Sequence, residues 1–151
     1  MNYGYGPYRY RRAPLGNRRQ DWINLILGIW LFISPWVLQF GSGVAVSQPV
    51  AGAPGGPIHA VHHAAWNAWV LGVIVGLVAL SALSRVELWE EWLNLLLGAW
   101  IFASPWALGF AGVIGAASWD HWVVGALVFL VSASNLSAIR HNVPIEQPGP
   151  P

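Results

Sequence analysis

The sequence predicts an all-α integral membrane protein with four transmembrane helices, formed by a parallel duplication of a two-helix unit. Three observations predict it: four long apolar stretches, an internal repeat that pairs them, and arginines confined to one set of connections. Of 151 residues, 56% are hydrophobic and 9% charged, against about 25% charged in an ordinary soluble domain. Helix is the element to expect, because within hydrocarbon every backbone amide and carbonyl must be satisfied inside the chain. The absence of cysteine excludes disulfides and thiolate-held metals. Arginine supplies all seven cations, which with the many Ala and Gly points to a bacterial genome of high GC content and so to a bacterial inner membrane.

Residues 1–20 hold all four tyrosines and five of the arginines without an apolar core. They read as a disordered cytoplasmic tail whose arginines meet anionic lipid headgroups rather than nucleic acid. The apolar stretches follow at Trp22–Phe40, Trp66–Ser84, Trp92–Phe110 and Trp119–Ile139. Each is long enough to cross about 30 Å of hydrocarbon at about 1.5 Å per residue. None contains an Asp, Glu, Lys or Arg except Asp120, which stands at a segment boundary.

The stretches are two copies of one pair. Residues 21–40 align with 91–110 at 12 of 20 identical positions, and 66–84 align with 119–137 at 10 of 19. Repeat 1 is therefore 21–84, with an outer loop at 41–65, and repeat 2 is 91–139. A cytoplasmic connection at 85–90 joins them, and a Pro-rich cytoplasmic tail closes the chain at 140–151. Arg9, Arg11, Arg12, Arg18, Arg19, Arg85 and Arg140 all fall on one side, while the loops 41–65 and 111–118 carry no arginine. The positive-inside rule then places both termini in the cytoplasm. Units of two spans enter the membrane the same way round, so the repeats should be related by a pseudo-twofold axis along the membrane normal.

Both first helices carry the same unusual triplet, Ser34-Pro35-Trp36 and Ser104-Pro105-Trp106. Proline cannot donate to the carbonyl four residues back and pushes it aside. Ending the helix there leaves 13 residues from Trp22 to Ser34, about 20 Å and too short to span. The expectation is a helix that continues, kinked, to Phe40 and Phe110. The serine hydroxyl should take the freed carbonyl three residues back, Leu31 or Ile101, while the indole settles at headgroup depth.

The duplicated pattern W-[IL]-N-L-x-L-G-x-W-x-F-x-S-P-W, followed by W-x-x-W-V-x-G, resembles the SPW-repeat family of small membrane proteins across about residues 21–139. That resemblance implies a fold and a membrane location, and it brings no catalytic residues.

Asn24, Gly28, Leu31 and Pro35 share one helical stripe, as do Asn94, Gly98, Ile101 and Pro105. Small and polar residues on one stripe mark helix contact in membranes, and here they are expected to pack one repeat on the other. Gly72 and Gly76 form a Gly-x-x-x-Gly pair, whereas repeat 2 has Gly125 and Phe129, which suggests an asymmetric contact. Asp21, Glu87, Glu90 and Glu91 precede the first helix of each repeat, where acids favour the helix dipole. His59, His62 and His63, with His121 on the same membrane side, are weak candidates for a shallow metal site. The expectation is no metal and no cofactor.

Functionally, the absence of buried charge favours a non-enzymatic structural or accessory protein acting through helix–helix contacts. Its partners would be the lipid bilayer and a second copy or another membrane protein. The alternatives are a small oligomeric channel or transporter for a neutral or lipophilic solute, and a membrane enzyme or metal-binding protein using the outer histidines.

Overall fold

A computed structural model describes residues 18–42, 56–84 and 88–141. The tails 1–17 and 142–151, and parts of both repeat-1 connections, lie outside the described residues, as does Glu87. The described chain is helical, with α1 at Arg18–Val37, α2 at Gly56–Ser84, α3 at Leu88–Ala107 and α4 at Gly115–His141. A short 3-10 turn at Phe40–Ser42 follows α1. α1 packs along α2 and α3 along α4, while lighter α1–α4 and α2–α3 contacts close the ring.

The duplication is visible in the bundle. α1 and α3 have 20 residues each at equivalent positions, and the same sites are buried in both copies: Asn24 and Asn94, Leu31 and Ile101, Ser34 and Ser104, Phe40 and Phe110.

The helix ends differ from the sequence expectation. α1 and α3 do not run on to Phe40 and Phe110; they stop two residues past the proline. Leu38 N still bonds Ser34 O at 2.8 Å, but Gln39 N turns back to Trp36 O at 3.3 Å, and Gln39 then adopts φ 59°. Gly109 repeats this with φ 74°, and Gly109 N bonds Trp106 O at 3.3 Å. A left-handed residue just beyond the last turn is a common helix stop. It throws Phe40 and Phe110 back into the bundle, where both are fully buried. Length is recovered at the other end, because the helices start at Arg18 and Leu88. Twenty residues make about 30 Å of helix. α2 likewise begins at Gly56, so the three outer histidines lie on a helix rather than a loop.

The bundle is inside-out by soluble standards. Large apolar side chains face outward on every helix, among them Ile26 and Ile29 on α1, Leu77 on α2, Leu96 and Trp100 on α3, and Leu130 on α4. Asn24, Asn94, Asp120, His121, Ser132 and Asn135 are turned inward and buried. α2 and α4 are long and apolar enough to cross a membrane over Ile58–Ser84 and Gly115–Ser137, and less than half of each lies buried in the bundle. A soluble protein's core helix is covered on most sides, so this exposure marks the chain as membrane-associated.

The glycines act within each repeat, not between repeats. A Cβ on Gly28 would fall 2.7 Å from Gly76 N, and one on Gly72 would fall 2.6 Å from Phe32 N. Gly98 meets Phe129 N at 2.5 Å in the same sense, and Gly125 closes on Phe102 N. The Gly76–Phe129 difference therefore leaves the two packings alike. Position 76 lends only its backbone to the contact, with nothing within 4 Å of a Cβ there, so Phe129 fits and points outward.

Candidate functional site

At the end of the bundle expected to face outward, each serine of the SPW triplet has the bond its proline calls for. Ser34 Oγ lies 3.0 Å from Leu31 O, and Ser104 Oγ lies 2.8 Å from Ile101 O. The same hydroxyls also join the repeats. Asn67 Nδ2 of α2 donates to Ser104 Oγ of α3 at 2.9 Å, and Asp120 Oδ2 of α4 sits 2.6 Å from Ser34 Oγ of α1. Asp120 Oδ1 accepts the Trp30 indole N–H at 2.8 Å. Asn67 and Asp120 occupy the same place in the aligned repeats.

The tryptophans of the triplets do more than mark depth. Trp36 stacks on Trp69 with ring centres 5.2 Å apart, and Trp106 stacks on Trp122 at 5.1 Å. Each pair continues edge-on to Phe32 and Trp66 in one copy, and in the other edge-on to Trp119 and at a tilt to Phe102. These offset and edge contacts lock the outer end of each helix pair.

Between the two stacks, Phe40 and Phe110 close over His121, at 6.4 Å and 5.0 Å between ring centres. His121 is fully buried, and its Nδ1 lies 2.8 Å from Ala117 O. That burial separates it from His59, His62 and His63, which are exposed on α2. His59 and His63 stand ring to ring, while His62 meets Trp66. Among the described residues no group of three or more His, Asp or Glu gathers closely enough to hold a metal ion.

The opposite end, expected to face inward, carries a second polar cluster. Asp21, Glu90 and Glu91 are all buried, where the sequence suggested acids placed only for the helix dipole. Gln20 Nε2 donates to Ser134 Oγ at 3.0 Å, Ser81 Oγ donates to Glu90, and Asn135 Nδ2 donates to Glu91. Each bond crosses between helices. Ser84 and Ser137, by contrast, turn back onto carbonyls of their own helices.

Between the two polar ends, Leu31, Val75, Ile101 and Val128 are fully buried in the apolar core.

The expectation of a bundle without buried ionisable groups is thus overturned by Asp120 and His121 together with Asp21, Glu90 and Glu91. The physical reason is the early start of α4, at Gly115, which carries residues 120 and 121 well inside the helix and against α1 and the two phenylalanines. The aligned repeats held the signal: Asp120 replaces Asn67, and His121 replaces Ala68.

These features define a duplicated helical membrane protein whose two halves are stitched by serine hydroxyls at helix ends broken by proline. The chain belongs to the SPW repeat domain family, which it matches twice, over residues 6–55 and 45–135. No curated protein and no solved structure matches it.

Proposed function

We propose that the chain is a multi-pass protein of a bacterial cytoplasmic membrane, crossing it four times with both termini in the cytoplasm. In this reading it is a non-enzymatic structural or accessory component that acts through helix contacts with a second copy or another membrane protein. The observation that carries it is the outward apolar face of all four helices around an inward polar set. α1 and α3 lie along α2 and α4, the two helices long and apolar enough to cross a membrane, and at about 30 Å are long enough to accompany them across the bilayer. The arginine distribution supports the cytoplasmic termini. The buried apolar layer of Leu31, Val75, Ile101 and Val128 argues against a conducting path through one copy.

The test is purification in mild detergent followed by native mass spectrometry and a proteoliposome flux assay. A stoichiometric second copy or partner protein, with no solute flux, is the expected result. Flux of a neutral solute that is lost in the Asn24→Leu, Asn94→Leu protein, with folding intact, would replace this reading with a transporter. The chain has no cysteine, so topology can be read from single introduced thiols. Ala111→Cys should react with an impermeant maleimide in intact cells, and Arg19→Cys and Ser137→Cys only after permeabilisation.

A further inference from the structure

Ser34 stands within hydrogen-bonding distance of two acceptors and has one proton to give. Its Oγ is 3.0 Å from the Leu31 carbonyl and 2.6 Å from Asp120 Oδ2. The Leu31 carbonyl has lost its backbone donor to Pro35, and both Leu31 and Ser34 are fully buried. Without the serine proton that carbonyl would be a bare acceptor in a dry site, which is strongly disfavoured. If Ser34 keeps its bond to Leu31, the short contact with Asp120 must take its proton from the carboxyl.

The second repeat shows which way the protons run. Ser104 Oγ donates to Ile101 O at 2.8 Å and receives from Asn67 Nδ2 at 2.9 Å. An amide nitrogen only donates, so the direction of that chain is fixed. Asp120 holds the place of Asn67 in the aligned repeats. A carboxylic acid has the same polarity as a carboxamide: one end donates and the other accepts. Asp120 Oδ1 is the accepting end, since the Trp30 indole N–H reaches it at 2.8 Å.

We infer that Asp120 is held as the neutral acid and donates to Ser34, so that the outer end of the α1–α4 contact is a proton-binding site within the membrane. Trp30, Asp120, Ser34 and Leu31 then form one directed chain in which every donor and acceptor is used once. Around Asp120, α1 contributes Trp30 and Ser34, neither of which is charged. The titratable group that acts on it is His121 of its own helix, whose Nδ1 faces Ala117 O and whose Nε2 has no partner. Loss of the Asp120 proton would turn Ser34 from the carbonyl to the carboxylate and leave Leu31 O bare. Repeat 2 is immune, because Asn67 does not titrate. The site therefore makes one of the two SPW turns responsive to protons.

The chain has only two aspartates, Asp21 and Asp120, which allows a direct test. Protein carrying carboxyl-labelled aspartate in lipid nanodiscs is examined by infrared spectroscopy at neutral pH. An isotope-shifted C=O stretch of a protonated carboxyl should persist in Asp21→Asn and vanish in Asp120→Asn. Asp120→Asn restores the Asn67 polarity and should keep the thermal midpoint of the parent, whereas Asp120→Leu should lower it. Only carboxylate stretches from the labelled Asp21→Asn protein would overturn the proposal, as would an Asp120→Asn midpoint as low as that of Asp120→Leu. If Asp21→Asn does not fold, the parent minus Asp120→Asn difference spectrum decides between the same two outcomes.

Discussion

Gly72 and Gly76 look equivalent in the sequence, yet substituting alanine at each should give opposite results. A Cβ on Gly72 would lie 2.6 Å from Phe32 N, 2.8 Å from Gly28 O and 2.9 Å from Phe32 Cα, all backbone atoms that cannot rotate away. Ordinary contact begins near 3.4 Å, so α1 and α2 must separate by most of an ångström. A gap of about that size forfeits roughly a quarter to a half of each affected dispersion contact, and core overpacking typically costs about 1–3 kcal/mol. Gly72→Ala should fall in that range, at its upper end because the strain falls on backbone. A Cβ on Gly76 meets nothing within 4 Å. Gly76→Ala should therefore be neutral, or more stable by up to about 1 kcal/mol from helix propensity. Reversible unfolding in mixed micelles of increasing SDS fraction, followed by far-ultraviolet circular dichroism, measures both. Equal destabilisation by the two variants would refute the close approach of α1 and α2 described above.

Other consequences follow from the same geometry. Phe110→Ala empties a fully buried site over His121 and should cost about 3–5 kcal/mol in the same assay, against less than about 0.5 kcal/mol for the outward Leu130→Ala. Ser104→Ala leaves the Ile101 carbonyl and the Asn67 amide without a partner, a loss of about 1–3 kcal/mol that Ser104→Thr should largely avoid.

Much of the fold was legible because the repeat constrains it twice. The apolar stretches gave the helices, the alignment paired them, and the serine bonds to Leu31 and Ile101 followed from what a proline removes. Helix ends were harder to read. Counting span length from Trp22 implied a helix through Phe40, but that count left out Arg18–Asp21, four polar residues that α1 nevertheless includes. The stop at Gln39 and Gly109 is a backbone choice stabilised by burying Phe40 and Phe110, a tertiary effect that no local pattern displays. The glycine stripe misled for a related reason, since a stripe says that a helix is approached closely and not by which neighbour. Asp120 was hidden by its place at a segment edge, and became part of a site only once α4 extended outward past it.

The central claim, an inside-out bundle in which α1 spans the bilayer although its ends are polar, is most directly tested by spin labels placed singly from Ile23 to Val37 in reconstituted protein. Collision rates with oxygen and with a water-soluble nickel chelate report lipid and aqueous exposure at each site. The account predicts oxygen maxima at Ile26, Ile29 and Ile33, minima at Asn24, Gly28 and Leu31, and nickel access confined to the two ends of the helix. Nickel access at Ile29 as high as at Ile23 would contradict it, because α1 would then lie in water rather than across the membrane.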